Sequence, residues 1–448
     1  MKHVSLSDHF TYGKIFHIVI GPVLMMIFSS FYSVVDGIFL SNYAGEGAFS
    51  GVNLIFPYIM ILGGVGFMLG TGGTALVSKT LGEKKEEVAS RYFSLVVYTT
   101  IFIGCIFILF GYFTVEPFVK MMASLSSMNT EAMIDSAIRY GRIMMLGVMF
   151  FMLQNVFQSF FAGAEKPFTG FLFIAGAGIT NIILDWLFVG IFNWKVEGAA
   201  IASICGQIVG GVLPILYFAL NKKLPIHLGR GKFEIKPLLK VFGNGSSEFA
   251  SNIASSVVST CYNMQLLRYI GPAGVSAYGV CMYINYLFMA IFIGYSVGMA
   301  PVVGYNYGAK NHQELHNVFK KSMSIVGITG VIMFTLGEVF GPIFGSIFSN
   351  GDEALQALSS KALFVFSFTY LTAGFSIFGS SFFTALNNGL ISALISMVRS
   401  FGFELVTVWL LPLLLNSDGI WAAGPIAEIG AVSLTLFFFL HERKRYQY

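Results

Sequence analysis

Two aspartates stand inside long apolar runs, where a charge is costly and is retained only for a purpose. Asp36 falls in "FYSVVDGIFLSN" and Asp185 in "ITNIILDWLFV", each toward the outer end of its run. Asn181, four residues before Asp185, shares its helical face. Ser203, in "EGAAIASICGQ", enters at a comparable height, and "FFMLQNVFQSFF" adds Asn155 and Gln158. Carboxylates, amides and a hydroxyl are the oxygen donors a hard cation prefers. Two neighbouring acids also cannot both stay charged cheaply, which makes one a proton acceptor near physiological pH. The plain alternative is a pair of interfacial aspartates reaching to water.

Such residues need membrane spans to hold them. Hydrophobic residues make up 56% of the chain and charged residues 11%, less than half the charge of an ordinary soluble domain. Apolar runs long enough to cross a bilayer recur at 15–40, 50–77, 92–115, 137–163, 167–191, 196–221, 238–269, 275–306, 318–345, 358–386, 390–415 and 418–440. The expected fold is therefore an all-α membrane protein of twelve transmembrane helices. With both termini cytoplasmic, only Lys120, Arg139, Arg142, Lys195, Arg268 and Lys361 fall on the outer side, and most of the other Lys and Arg lie inside. That asymmetry sets the orientation and makes the net charge of +4 a topology signal, with no nucleic-acid partner implied. The polar N-terminus and long first run read as a retained helix, not a cleaved signal. Cys105, Cys205, Cys261 and Cys281 all fall within spans, as packing residues.

The residues from Gly45 to Phe93 return 226 positions later as Gly271 to Phe319, with Gly72 on Gly298, Gly82 on Gly308 and Lys84 on Lys310. "FFAGAEK" at 160–166 returns as "FFTALNN" at 382–388, an offset of 222. A half-length repeat in an apolar chain is how many secondary transporters are built. We expect an N-terminal six-helix lobe over 1–221, a cytoplasmic linker over 222–237 and a pseudo-symmetric C-terminal lobe over 238–448. Pro22, Pro57, Pro214, Pro301, Pro412 and Pro425 lie inside spans and are expected to kink them.

The second half does not repeat the acidic cluster. The offsets set Tyr262 against Asp36 and Thr407 against Asp185. Glu248, in "GNGSSEFASN", is a candidate for a cationic substrate or a proton, or else a helix-end carboxylate at the surface. Arg399 and Glu404 suggest an intramembrane pair, and Glu338 and Glu428 read as packing residues. The chain holds 47 Phe, 20 Tyr and 20 Met, side chains that line adaptable cavities as well as ordinary cores. The seven His lie in tails, loops or helix ends, and "GTALVSKT" at 73–80 lacks the second glycine of a phosphate loop. An ATP-driven pump and a metalloprotease are disfavoured; no enzyme activity and no cofactor are expected beyond a coupling ion.

The segments "VVDGIFLSNYAG", "GTGGTALVSKTLGEKKEE" with its echo "GMAPVVGYNYGAKNHQE", "FFAGAEKP", and "TNIILDWLFVG" followed by "VEGAAIAS" together resemble the multidrug and toxic compound extrusion (MATE) transporters. The "GNGSSEF" opening of the seventh span is similar to a bacterial drug-exporter branch. The resemblance implies two six-helix bundles forming a V, alternating access, and export of organic, often cationic or lipophilic, compounds against entry of H⁺ or Na⁺. It implies a cation site at Asp36, Asn181, Asp185 and Ser203 with Asn155 nearby, where Asp36, Asn181 and Asp185 would hold the metal if Na⁺ is used. Glu248, Gln158 and Tyr262 are assigned to substrate. The tenth span has no carboxylate where some branches carry one, which favours coupling through the N-terminal lobe. A monomer in the plasma membrane, contacting lipid and small organic molecules, is expected. The alternative is a flippase for a lipid-linked oligosaccharide or cell-wall precursor.

Overall fold

The computed structural model describes residues 4–44, 46–124, 130–349 and 353–448, so Gly45, the first residue of the repeat, lies outside the described residues. Among the described residues all regular structure is helical. The helices are α1 (Tyr12–Phe39), α2 (Glu46–Gly82), α3 (Glu86–Ser124), α4 (Glu131–Gly163), α5 (Pro167–Asp185) and α6 (Lys195–Leu220) in the first half. The second half holds α7 (Ile235–Tyr269), α8 (Pro272–Gly308), α9 (His312–Ser349), α10 (Glu353–Ser367), α11 (Tyr370–Ala385), α12 (Gly389–Met397) and α13 (Leu405–Tyr446). Three π-helical turns interrupt this ladder, at Leu40–Ala44, Trp186–Ile191 and Val398–Glu404.

Nine described segments are long and apolar enough to cross a membrane alone. The bent pair α10–α11, whose axes turn by 51°, makes a tenth crossing. The last of the nine runs 58 residues from Gly389 to Tyr446, far beyond the roughly 20 that one crossing needs. Asn416, with φ 52° and ψ −136°, breaks it into two spans. α7 is long enough at 35 residues, but its Ser- and Asn-rich sequence makes it less apolar than the others. Twelve crossings result, as the apolar runs imply.

The in-span prolines do not end their helices. α1, α2 and α6 run unbroken through Pro22, Pro57 and Pro214. The departures from helix fall instead between α10 and α11, at Asn416 and at the π turns. Helix ends follow local chemistry: Thr11, Thr130 and Asn388 cap α1, α4 and α12 with their side chains, and Pro167 and Pro272 open α5 and α8.

The repeat is realised residue by residue. α2 and α8 have the same length and sit 226 residues apart at both ends. The turns that follow them place Lys84 (φ 60°) and Lys310 (φ 54°) in the left-handed region, and the later turns do the same with Glu165 and Asn387. The two lobes form a V and meet at the end of the bundle that carries both termini. There a Cβ on Gly82 would collide with the Tyr305 carbonyl, and one on Gly308 would collide with that of Lys79. These two contacts are each other's image under the repeat. Gly72 and Gly245 likewise bring α2 and α7 together, as Gly294 and Gly298 do α8 and α1. Small residues permit such backbone contact where lipid removes the hydrophobic drive between helices. In α1 every buried residue lies between Ile15 and Met25, and the half from Met26 to Phe39 has none. The contacts of α1 with α8 therefore lie in the half of α1 nearer the termini.

Candidate cation-binding site

α1 and α5 pack side by side in the first lobe. Asp36 comes from the last turn of α1, just before the π turn at Leu40–Ala44; Asp185 ends α5, just before the π turn at Trp186–Ile191. A π turn shifts the side-chain phase of a helix and is often found where a functional group must be aimed. The two carboxyl groups are in interaction range of each other, and Asn181 stands one turn before Asp185 on the same face of α5. The Asn181 amide also lies 3.5 Å from Ser203 Oγ on α6. Gly206 makes this approach possible, since a Cβ there would stand 2.8 Å from the Ala177 carbonyl oxygen and 3.1 Å from Asn181 Cβ.

Asp185 is wholly buried and Asn181 nearly so. Asp36 Oδ1, Asn181 Oδ1 and both carboxylate oxygens of Asp185 are buried without a hydrogen-bond partner. Four orphan acceptors in one spot contradict the rule that buried polar atoms are paired, and each such atom costs on the order of 1–3 kcal/mol. Every one of them is an acceptor, so what the site lacks is positive charge or a proton. Oxygen donors of this kind suit a hard monovalent cation, and the same atoms serve equally for a proton held between two carboxyls. Among the described residues no three His, Cys, Asp or Glu gather as a transition-metal site would require.

The sequence reading missed Tyr140. It projects from α4, is 4% exposed, and its hydroxyl engages Ser203 within the field of both aspartates. A lone tyrosine near the start of an apolar run carries no signal by itself; only the register of α4 against α6 brings it in. The other expected residues lie as follows. Asn155 is buried, and its amide lies 3.5 Å from the Gly63 carbonyl on α2; fifteen residues of α4, about 22 Å, separate it from Tyr140. Gln158 is buried one turn further on. Glu248 is half-buried on α7, close to where Phe249 and Asn252 face Gly64 of α2. Tyr262 is 1% exposed inside the second lobe, stacked on Tyr278 at 4.9 Å between ring centroids, away from the cleft surface. Arg399 pairs with Glu428 at 2.6 Å, so the ion pair joins α13 to the π turn before it, in place of the Arg399–Glu404 pair expected along one helix.

Fold and site together define a twelve-helix, two-lobe membrane transporter with an oxygen-lined site buried in one lobe, and not an enzyme. A family model described as MatE matches residues 22–187 and 249–410, one stretch in each lobe, and the chain belongs to this family. The multidrug export protein MepA of Staphylococcus haemolyticus (strain JCSC1435) is 23% identical over 444 residues, which cover 98% of this chain and 96% of the relative. MepA of Staphylococcus aureus (strain NCTC 8325 / PS 47) is 23% identical over 387 residues, 85% of this chain and 84% of that protein. Among solved structures, a crystal structure of MATE in the straight conformation superposes with a TM-score of 0.90 at 18% identity, covering 100% of this chain and 98% of the other. A multidrug resistance MATE transporter of the MOP superfamily in an outward-facing conformation gives 0.88 at 18%, covering 97% and 96%.

Proposed function

We propose that this chain exports small organic compounds, many of them cationic or lipophilic, in exchange for H⁺ or Na⁺ taken up at Asp36 and Asp185. The orphan acceptors on Asp36, Asn181 and Asp185 carry the reading, because a buried site short of positive charge gains stability from each cation it captures. The MepA relatives, named as multidrug export proteins, support the substrate class. The chain sits in the plasma membrane with both termini cytoplasmic, as its Lys and Arg distribution favours. The lobes at 1–221 and 238–448 then rock about the linker at 222–237, and the closed end with the termini is the cytoplasmic gate.

Coupling requires the cation to prefer one conformation. Asp36 rides on α1, whose first half packs on α8 of the other lobe. Binding between α1 and α5 thus changes a helix that belongs to both the site and the seam. Glu248, half-buried on α7, is the group best suited to meet a cationic substrate, whereas Gln158 and Tyr262 are buried and offer it no surface. A flippase for a lipid pyrophosphate would need free positive charge at depth, whereas Arg399 is already neutralised by Glu428.

The test is reconstitution in liposomes with imposed pH or Na⁺ gradients, following export of a fluorescent organic cation such as ethidium. Asp36→Asn should abolish gradient-driven export while the protein still inserts and binds ethidium. Gradient-driven export that persists unchanged in this variant would refute the assignment.

A further inference from the structure

We propose that residues 5–10 form a clasp across the seam between the lobes, and that Glu165 and Glu314 are the positioning residues that set how readily the gate opens. The inference rests on the alternating-access reading above.

The segment before α1 is tied down at both ends. At its near end Glu165 Oε1, in the α4–α5 turn of the first lobe, accepts from Ser5 Oγ at 2.7 Å and from the Leu6 backbone N–H at 2.6 Å. At its far end Glu314, in the first turn of α9 in the second lobe, accepts the Phe10 N–H at 2.8 Å, and its other oxygen lies 2.7 Å from His9 Nδ1. Lys321 Nζ and Asn317 Nδ2 donate to the Phe10 carbonyl at 2.6 and 3.0 Å. Leu6 is 1% and Phe10 0% exposed, so the strap is anchored by apolar burial as well as by charge.

A tail with no role at the gate would not need a carboxylate from each lobe to hold it, one of them, Glu314, buried. Asn317 also donates to Glu314 at 2.7 Å, which fixes the acceptor that Phe10 uses. A 440 Å³ depression lined by His9, Asn311, Gln313, Glu314, His316 and Asn317 brings a solvent-filled space up to the far anchor. The clasp can therefore release without exposing orphaned groups to lipid. When the lobes part at this end, the Glu165 and Glu314 anchors cannot both be kept, so the clasp stabilises the closed gate and opposes opening.

The experiment uses the full chain with Glu314→Ala, Glu165→Ala, the pair together and Glu314→Gln. Hydrogen–deuterium exchange at 68–82 and 239–245 reads the seam, and ethidium export from the cytoplasmic side reads function. Releasing one anchor should raise the open-gate population about tenfold, the effect of losing one or two charge-assisted hydrogen bonds. Seam exchange then rises, and the apparent KM for cytoplasmic substrate falls several-fold with little change in maximal rate, because more protein is ready to bind. The double variant should do no more than either single one, since a strap released at one end is already released. Glu314→Gln, which keeps an acceptor, should fall between. Unchanged exchange and KM in folded single variants, or additive effects in the double, would overturn the clasp. A seam that never opens in any protein, under either gradient, would sink alternating access and the clasp with it.

Discussion

The two lobes share a frame and carry different groups at the same place in it. Where α5 meets α6, Gly206 presses on the Ala177 carbonyl and brings Asn181 close. At the matching positions 222 residues on stand Arg399 and Glu428, which form an ion pair at 2.6 Å. Opposite Asp185 is Thr407, whose hydroxyl has the carbonyls of Phe403, Glu404 and Ala423 at 3.0 Å. Opposite Asp36 is Tyr262, stacked in the core. The first lobe is thus a site of acceptors short of a cation, while the second carries its own cation in Arg399, within the field of Glu404 and Glu248. On the proposed reading one copy binds a mobile charge, and the other has a resident one. If the proposed coupling holds, that division would let duplicated halves use a gradient through one lobe alone.

The sharpest way to break the comparison is to satisfy the acceptors permanently. Asp185→Asn replaces one orphan oxygen with a donor. Gradient-driven export should fall by at least about a hundredfold, as expected when the driving ion no longer discriminates between states. Thermal stability should hold or rise, because a buried group without partners is removed. A fluorescence-detected melting curve read beside the vesicle assay checks both halves. Loss of transport together with a large loss of stability would mean that Asp185 is structural.

The second lobe should respond the other way. Arg399→Leu leaves Glu428, 4% exposed, without its partner. Breaking a buried pair from one side costs about 3–5 kcal/mol, whereas removing both partners is often neutral. Arg399→Leu should therefore melt well below the parent, and Arg399→Leu with Glu428→Leu should recover most of the loss. Cation dependence should survive in the double variant. If it disappears, the resident pair takes part in coupling and the contrast between lobes fails.

Much of this was legible in the sequence because it rests on local or periodic signals. Twelve apolar runs, the repeat offsets and the acids at Asp36 and Asp185 are each read from type and spacing. The offset of 226 matches both ends of α2 and α8, since a turn with a left-handed lysine fixes where each helix stops. What escaped depends on how helices pack. Asn155 and Tyr140 sit on one helix, and only the first stands out from the sequence; the register of α4 sets Asn155 against Gly63 and brings Tyr140 beside Ser203. Arg399 likewise looked paired with Glu404, five residues on, until the π turn at Val398–Glu404 swung its guanidinium toward Glu428. The prolines gave no sign of where helices end: neighbouring helices support the chain at Pro22, which stays helical, and a break lies at Asn416.

Tyr140 offers the finest discrimination between the lobes. Its hydroxyl engages Ser203, and Ser203 in turn lies 3.5 Å from the Asn181 amide, so it acts on the aspartates through two intermediates. Tyr140→Phe keeps the ring that packs in the core and removes one polar contact, worth about 0.5–1.5 kcal/mol. If the first lobe is a cation site tuned by its neighbours, the concentration of H⁺ or Na⁺ giving half-maximal export should shift by a factor of about 2–10, with maximal rate and melting temperature nearly unchanged. Tyr262→Phe in the second lobe, where the tyrosine faces a site that already has its counter-charge, should leave that concentration where it was. Equal shifts from the two variants would mean that cation capture is distributed over both lobes, and the acceptor cluster at Asp36 and Asp185 would then be only one part of the coupling machinery.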